Sequence, residues 1–434
     1  VSRSGGEFRG HKVYTSLTDI PEDIDYVIVA VSNRYVPEVL REAASKGAKG
    51  ATVFTSGYSE LGTEEGRARE HQLRDLVQEL PLRVLGPNCM GLCYPSLGFA
   101  FMPAAKRSVG SVGFLSQSGG IAIAVYTAGS ESGVGFSKVF SFGNQIDVTA
   151  PEIMDYFVQD DETSVVGAYI EGTRDGRLLF EAMRRLASEK PVVVLKGGRT
   201  EEGSRAASSH TGALAGSTAI WNAAFRQANI PTVSTVEDLV ATLSVFSQSP
   251  PPPTRAVGIV AISGGASVVY SDLCSEIGLQ VPATTPQTRE RLDPLIADVG
   301  TGLGNPIDLA ADYYQDQTIS EVIRIVGEDS NFGSLIIEAD VANIYRVASI
   351  MDAVDAIDGY WESLASAAND VVKGLEKPVL IAIPEIGYPE ARMQAWRIFV
   401  EAGLPVFRSF REAAGALARV YQYYEGRRQG HGSS

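Results

Sequence analysis

Two stretches of the chain, Gly113–Gly120 (GFLSQSGG) and Gly258–Gly265 (GIVAISGG), share one pattern, in which an apolar run ends in Ser-Gly-Gly. The apolar run predicts a buried β-strand, and the glycines predict a tight turn into the helix that follows. Four further pairs occur in the same order along the chain: Gly143–Asp147 with Gly304–Asp308, Tyr169–Glu171 with Ile336–Glu338, Lys190–Val193 with Lys377–Leu380, and Ala228–Pro231 with Ala402–Pro405. Five ordered matches indicate an internal repeat, so the middle and last parts of the chain are predicted to be two copies of one α/β unit.

The regions around this repeat predict the domain boundaries. Three strands separated by helical stretches are predicted before the repeat, at Asp25–Val31, Lys49–Phe54 and Leu82–Leu85. This alternation indicates another parallel sheet. A proline run at 250–253 fits neither a helix nor a central strand and is predicted to be a semi-rigid linker. We therefore expect domains at 1–106, 107–249 and 254–428, of which the last two, the repeat copies, are flavodoxin-like. The polar segment Gly426–Ser434 is expected to fray, with 429–434 as a tail.

Composition and charge exclude several classes of function. The 434 residues carry a net charge of −15, which argues against binding to nucleic acid and to anionic lipid. The three cysteines form neither a disulfide framework nor a zinc ligand set, so we expect a reducing, cytoplasmic location and no metal site. No apolar run approaches the ~18 residues that a membrane-spanning helix needs. Since residue 1 is Val, we also expect the chain to begin inside a longer gene product.

The two repeat copies differ in one loop. After its strand, the middle copy continues through a Gly- and Ser-rich segment that contains His210, whereas the last copy has only a short Pro- and Gly-containing turn without histidine. The loop follows the carboxyl end of a predicted strand, and open α/β sheets bind their ligands at the carboxyl ends of their strands. Of the four histidines, His11, His71 and His431 are interpreted as solvent-exposed, while His210 is either a surface-loop residue or a catalytic group.

Two further features of the middle copy suit a phosphate chemistry. The turn Ser116–Gly120 opens a helix, and the free amides at a helix start form an anion site without any Lys or Arg, although the same turn could be purely structural. Glu171 ends the apolar strand Val165–Ile170, where it either caps a helix or orients a histidine. Cys89 and Cys93 have a spacing that occurs in metal sites but lack a second pair, so they are interpreted as small buried residues.

Several motifs together resemble those of a known family. LGPNCMG (Leu85–Gly91), LSQSGG (Leu115–Gly120), YIEG (Tyr169–Gly172), SSHTGALAGS (Ser208–Ser217) and GNPIDL (Gly304–Leu309) occur in this order. The chain resembles, over essentially its whole length, the nucleoside-diphosphate-forming acyl-CoA synthetases, relatives of succinyl-CoA synthetase. The resemblance implies an α/β protein with a Rossmann-like CoA-binding domain followed by two flavodoxin-like ligase domains.

The resemblance also implies a reaction and its residues. The reaction is acid + CoA + ATP ⇌ acyl-CoA + ADP + phosphate, through an acyl phosphate and a phosphorylated histidine. His210 would be the phosphorylated nucleophile and Glu171 the carboxylate that orients it. The phosphate would be bound by Ser116, Gln117, Ser118, Gly119 and Gly120, and CoA by Phe54, Thr55, Ser56 and Asn88.

The chain departs from the family pattern in three ways. The strand and Gly-rich turn that open the family's CoA domain are not in this sequence, so we expect an N-terminally incomplete CoA site. An ATP-grasp domain is also not in it, so ATP or ADP with Mg²⁺ is expected to be bound by an ATP-grasp subunit or domain in a homodimer or heterotetramer. Glu338 and Asp340 place carboxylates at a strand end of the last copy, where a phosphate would be disfavoured.

Two other functions stay open on the sequence. One is a catalytically reduced CoA-binding or regulatory module, such as the ligase-like half of a protein acyltransferase. The other is a related acyl-CoA lyase. Retention of both His210 and Glu171 favours the synthetase, because a module that only binds CoA needs neither residue.

Overall fold

The computed structural model describes residues 1–101, 106–205, 217–296 and 301–431. The chain forms two compact units, one of Val1–Thr127 with Gly135–Val236 and the other of Ala128–Val134 with Glu237–Ser434. Short 3-10 helices occur at Leu17–Asp19, Asn33–Tyr35, Ser59–Leu61, Pro95–Leu97, Ala310–Tyr314 and Val354–Ala356. The described residues include no helix that is both long and apolar enough to cross a membrane.

The first unit begins with a hairpin and a small parallel sheet. Strands β1 (Gly6–Phe8) and β2 (His11–Val13) pair antiparallel. Strands β3 (Tyr26–Val29), β4 (Gly50–Val53) and β5 (Arg83–Leu85) are parallel and neighbours in that order. Helices α1 (Val36–Ser45) and α2 (Glu64–Glu79) connect these strands, as the sequence predicted, because the apolar runs are buried and the amphipathic stretches cover them.

The second sheet of this unit has six strands. They are β6 (Gly91–Cys93), β7 (Val109–Ser116), β8 (Phe136–Ser141), β9 (Val165–Ile170), β10 (Val192–Lys196) and β11 (Thr232–Val233), in the order β11-β10-β9-β7-β8-β6. Only β6 runs antiparallel to its neighbour in the described part of this sheet. The helices that follow its strands along the chain are α3 (Gly119–Glu131), α4 (Ala150–Gln159), α5 (Gly176–Glu189) and α6 (Thr218–Gln227). The next helix, α7 (Val236–Gln248), lies in the second unit from its second residue onward.

The second unit contains the third sheet. Its strands β12 (Val257–Ala261), β13 (Ile307–Asp308), β14 (Ser334–Glu338), β15 (Val379–Ala382) and β16 (Val406–Phe407) are all parallel, in the order β13-β12-β14-β15-β16. The helices are α8 (Gly264–Glu276), α9 (Pro286–Leu292), α10 (Asp316–Glu328), α11 (Val341–Ile350), α12 (Ile357–Leu375), α13 (Pro389–Glu401) and α14 (Phe410–His431).

The strand order confirms the flavodoxin-like repeat. The five strands of the middle copy are arranged in the sheet as β8-β7-β9-β10-β11, and those of the last copy as β13-β12-β14-β15-β16. In both copies the first strand along the chain therefore lies between the second and the third, and the fourth and fifth follow the third. This is the 2-1-3-4-5 order of flavodoxin-like sheets. The predicted α/β fold class is therefore confirmed.

The first glycine of each repeated stretch has the same packing role. A Cβ atom at Gly113 would lie 2.5 Å from Cε1 of Phe157, and one at Gly258 would lie 2.8 Å from Cδ2 of Phe332. Both rings are buried in the core of their unit. The strand must therefore lack a side chain at this position so that the ring can pack against the backbone.

Gly113→Ala is expected to lower the urea midpoint of unfolding. The added methyl overpacks the core against Phe157, a type of change that costs about 1–3 kcal/mol. Gly265→Ala is the control, because its Cβ meets no atom of the described structure within 4 Å and it lies in the first turn of α8. Equal midpoints for the Gly113 variant and wild type, measured by circular dichroism, would contradict this packing role.

The end of the chain differs from the prediction. Gly426–Ser434 was expected to fray, but α14 continues through Gly426 to His431, and Gly432–Ser434 lie outside the described residues. Buried residues in the preceding turns, such as Val420 and Tyr423, hold this helix against the third sheet's unit. Packing therefore outweighs the low helix propensity of its glycines.

Candidate functional site

A cleft in the first unit is built from the carboxyl ends of five strands. Phe54–Ser56 follow β4, the turn Gly86–Asn88 follows β5, Ser116–Gly120 follow β7, Gly143 and Asn144 follow β8, and Glu171 follows β9. The first two belong to the small parallel sheet and the others to the six-stranded sheet. Parallel α/β sheets bind ligands at this end of their strands, so the topology alone brings these segments together.

The turns pack backbone against backbone. A Cβ atom at Gly143 would overlap the carbonyl oxygens of Pro87 and Asn88, and the φ angle of +50° at Gly143 favours glycine as well. The amide of Asn144 donates to the carbonyl of Pro87 at 3.0 Å, and that of Asn88 donates to the carbonyl of Thr55 at 3.0 Å. The two sheets therefore hold their strand-end turns in contact through the main chain.

The Ser-Gln-Ser-Gly-Gly turn is organised by its own hydroxyls. Ser116 is fully buried, and its Oγ donates to the carbonyl of Ser118 at 2.7 Å and accepts from the amide of Ser118 at 3.1 Å. The Oγ of Ser118 accepts from the amide of Ile121 at 3.4 Å, which caps α3. Within the described structure the amides of Gly119 and Gly120 have no acceptor, so the start of α3 presents two free donors and the positive end of its dipole. This arrangement suits a phosphate or another oxyanion.

Glu171 is buried at the edge of the same cleft with one oxygen unsatisfied. Its Oε1 accepts from the hydroxyl of Tyr169 at 3.0 Å, while its Oε2 has no partner among the described residues. Burial, and after it the charge of Glu171, raises the pKa of Tyr169, which keeps this hydroxyl a donor. A buried carboxylate oxygen without a partner is costly, so Oε2 is available to accept a hydrogen bond from a residue or a ligand.

Gln117 and Lys196 fix the backbone around Glu171. The carbonyl oxygen of the Gln117 side chain accepts from the amides of Glu171 and Gly172, the latter at 3.1 Å. The ammonium of Lys196 donates to the carbonyl of Glu171 at 2.6 Å and to that of Gly197. Burial lowers the pKa of Lys196 from 10.5 to about 8, against the opposing charge of Glu171. Lys196 therefore ties the end of β9 to the first residue after β10.

Most of the predicted site residues line this one cleft of about 470 Å³. They are Phe54, Ser56, Asn88, Gln117, Ser118, Gly119, Gly120 and Glu171. Two others lie behind its wall: the hydroxyl of Thr55 donates to the carbonyl of Val31 at 2.6 Å, and Ser116 shapes the turn. His210 lies outside the described residues.

Sequence reasoning missed a set of polar residues next to the cleft. Arg67, Glu70, His71 and Arg74 lie on α2 with the i, i+3, i+4, i+7 spacing of one helix face, and Arg174 follows β9. That spacing on one helix face was the signal in the sequence that could have identified them. Met90 and Asn144, which line the cleft, also went unnoticed.

Metal binding was tested on the described residues. They contain no group of three or more His, Cys, Asp or Glu side chains that could hold a metal ion. Cys89 and Cys93 are buried, and burial raises the pKa of both thiols, to about 12 and about 11 respectively. Burial therefore favours the protonated thiol at both positions.

Comparison with known proteins relates this architecture to a family. A CoA-binding domain family matches residues 1–95, and a succinyl-CoA ligase-like flavodoxin domain family matches residues 109–246. The chain is 31% identical, over 423 residues, to the alpha subunit of acetate–CoA ligase [ADP-forming] II of Pyrococcus furiosus, covering 96% of this chain and 87% of that one. It is 36% identical over 307 residues to acetate–CoA ligase [ADP-forming] of Methanocaldococcus jannaschii, covering 70% of this chain and 43% of that one.

A solved structure agrees with these matches. The dinucleotide-forming acetyl-coenzyme A synthetase 1 of Ca. Korarchaeum cryptofilum, in complex with phosphate and ADP, superposes with a TM-score of 0.83 at 26% identity, covering 100% of this chain and 90% of that one. The resemblance stated from the motifs is thereby confirmed over nearly the whole chain. With its CoA-binding domain, its repeated flavodoxin-like sheets and these relatives, the chain belongs to the family of ADP-forming acyl-CoA ligases, as a counterpart of their alpha subunit.

Proposed function

We propose that this chain is the CoA-ligase half of an ADP-forming acyl-CoA synthetase that acts through phosphorylated His210. One observation carries the proposal. Within the part of the chain that the structure describes, the cleft combines amides without an acceptor at the start of α3, an oxygen of Glu171 without a donor, and the strand-end residues of the CoA-binding domain. An anion site, a carboxylate and a CoA domain in one cleft are what transfer between a thioester and a phosphate requires.

The proposed roles follow from the hydrogen-bonding capacity of each group. The amides of Gly119 and Gly120 bind the phosphate. Because these donors are dipoles and carry no net charge, the phosphate can leave the site again after the transfer. The Oε2 of Glu171 accepts a hydrogen bond from one imidazole nitrogen of His210, so that the other nitrogen carries the lone pair. Phe54, Ser56 and Asn88 contact the thiol end of CoA, and Thr55 and Ser116 support them from behind the cleft.

The reaction balances in three transfers. A phosphate oxygen attacks the acyl-CoA carbonyl carbon, the C–S bond breaks, and CoA leaves as the thiol with one proton. The His210 nitrogen then attacks the phosphorus of the acyl phosphate, the P–O bond to the acyl group breaks, and the carboxylate leaves. Finally the phosphoryl group passes from His210 to ADP, which becomes ATP.

The third transfer is proposed to use a partner. Phosphoryl transfer to ADP needs Mg²⁺ and basic groups around the phosphates, and the Pyrococcus furiosus relative is one subunit of its ligase, the alpha subunit. We therefore propose that an ATP-grasp subunit or domain supplies the nucleotide site. The chain without it should not form acyl-CoA from acid, CoA and ATP, yet should exchange phosphate between acetyl phosphate and His210.

The test is labelling of the full chain with acetyl [³²P]phosphate. Wild type is expected to form a phosphoprotein that is labile in mild acid and stable in base, as phosphohistidine is, and His210→Asn should remove the label completely. His11→Asn is the control, because His11 is exposed on β2 and lines neither described cavity, so this variant should leave labelling unchanged. Normal labelling of the His210 variant would overturn the proposal, and a chain that binds CoA but accepts no label would support a binding module instead.

A further inference from the structure

A second cavity of about 260 Å³ adjoins the cleft, and we call it the arginine pocket because Arg67, Arg74 and Arg174 line it. Arg67 and Arg74 lie on α2, two turns apart, and Arg174 lies in the loop between β9 and α5. Glu70 forms its base and is only 4% exposed. Two elements that are distant in sequence thus direct guanidinium groups to one cavity.

The lining of the arginine pocket carries more positive than negative charge. Glu70 faces two guanidinium groups, because its Oε1 accepts from Arg174 at 2.5 Å and from Arg74 at 3.2 Å. Its Oε2 is already bonded to Asn144 at 2.8 Å and to Ser59. Burial, and next the charge of Arg174, lowers the pKa of Arg74, so the two guanidinium groups are close enough to repel each other. Three cations and one carboxylate leave an excess of two positive charges in the lining.

The acids nearby are engaged with other groups. Glu65 pairs with Arg69, Asp75 accepts from His71 at 3.0 Å, and the Oε2 of Glu60 accepts from Asn144 at 2.7 Å. None of these three carboxylates lines the described cavity. Arg67 donates to the carbonyl of Gly62 at 2.9 Å and, of the three, depends least on Glu70.

The pocket and the cleft lie on either side of a shared wall. Gln117, Gly143 and Asn144 line both cavities. The carbonyl oxygen of Gln117 is used by the amides of Glu171 and Gly172, so its NH₂ group is the part left to face a ligand. A group bound in the arginine pocket would therefore sit one residue layer from Ser116–Gly120, which we call the phosphate turn.

We propose that the arginine pocket is a second oxyanion site, which binds a carboxylate or phosphate group other than the phosphate that reacts. Guanidinium groups pair with both through charge-assisted, often bidentate hydrogen bonds. The cavity holds one such group with a few carbon atoms but not a CoA molecule. Two sources share this chemistry: the far carboxylate of an acyl substrate with two carboxylates, and free inorganic phosphate. The acyl source rests on the proposed function, whereas the anion site itself does not.

The test is calorimetric titration of the full chain at low salt with succinate, butyrate and phosphate. Succinate and butyrate have equally long chains, but only succinate has a second carboxylate. Arg67→Gln and Arg174→Gln are expected to weaken anion binding about tenfold or more, as loss of a charge-assisted hydrogen bond does. Arg177→Gln, three residues from Arg174 and 90% exposed, is the matched control and should bind like wild type.

The probes separate the two sources and the two sites. If succinate binds, butyrate does not, and the arginine variants weaken the binding of succinate, the pocket holds a second carboxylate. If the arginine variants weaken the binding of phosphate, the pocket holds phosphate. Either binding should persist in Gly120→Asp, which blocks the phosphate turn. Absence of any arginine-dependent anion binding, or equal weakening by Arg177→Gln, would overturn the proposal. Labelling of His210, measured on the same variants, fails only if the proposed function fails.

Discussion

Glu171→Gln should slow phosphoryl transfer from acetyl phosphate to His210 by about 10- to 100-fold, the usual loss when a group that orients a histidine is altered. The hydroxyl of Tyr169 already donates to one oxygen of Glu171 and would keep the oxygen of the new amide in that place. The NH₂ group would then stand where the unpartnered Oε2 is now. A donor at that point cannot accept the imidazole N–H, so the imidazole would lose both its orientation and the charge that stabilises it.

The measurement is a single-turnover, rapid-quench time course with acetyl [³²P]phosphate. Glu181→Gln is the control, because it makes the same change on α5 at a residue paired with the exposed Arg177 and outside the cleft. Unfolding midpoints of both variants should match wild type. A wild-type labelling rate in a folded Glu171→Gln protein would exclude Glu171 as the residue that orients His210.

Gly120→Asp should reduce labelling of His210 by about 100-fold or more, since the amides of the phosphate turn would bind the new carboxylate instead of phosphate. The change is expected to leave folding intact. Among the described residues, a Cβ at Gly120 has only the Oγ of Ser118 near it, at 3.9 Å. An acidic residue in the first turn of α3 also interacts favourably with the helix dipole. Loss of function with equal or higher stability would distinguish a blocked anion site from a damaged fold.

Gly176→Asp provides the comparison for this variant. It places the same side chain in the first turn of α5, where the nearest described atom to a Cβ is Cγ2 of Thr173 at 4.0 Å, and Gly176 lines neither the cleft nor the arginine pocket. Labelling of this control should equal that of wild type. If the two aspartate variants lose labelling equally, the effect is one of overall charge, and the start of α3 does not hold the phosphate.

The fold was predictable from the sequence because each repeat copy carries the same signals in the same order. The strand over Val165–Ile170 has the predicted bounds, and the helix after Ser118 begins two residues earlier than predicted because Gly119 and Gly120 join it. The one clear error, the frayed end after Gly426, came from judging composition without knowing that α14 packs along its length.

The site was only partly predictable. Residues directly after a strand, such as Ser56, Asn88 and Glu171, could be placed because the topology gathers strand ends. The residues that reach the site from helix faces, or from loops beyond the first residue after a strand, could not be placed from the sequence. The ion pair between Arg174 and Glu70 joins two residues that are far apart in sequence. The hydrogen bond that the Gln117 side chain accepts from the amide of Gly172 depends on the direction of that side chain. Neither follows from a local pattern.

The contact between the turns at Pro87 and Gly143 has a consequence for how substrate preference can change during evolution. Main-chain contacts hold the turns at Pro87 and Gly143 together, and the side chains of Phe54 and Ser56 line the cleft without taking part in those contacts. Substitution at these two positions is therefore expected to reshape the cavity while the phosphate turn keeps its position. In the proposed reaction these two side chains meet the thioester end of CoA, so the scaffold would separate the part of the site nearest the acyl group from the part that handles phosphate.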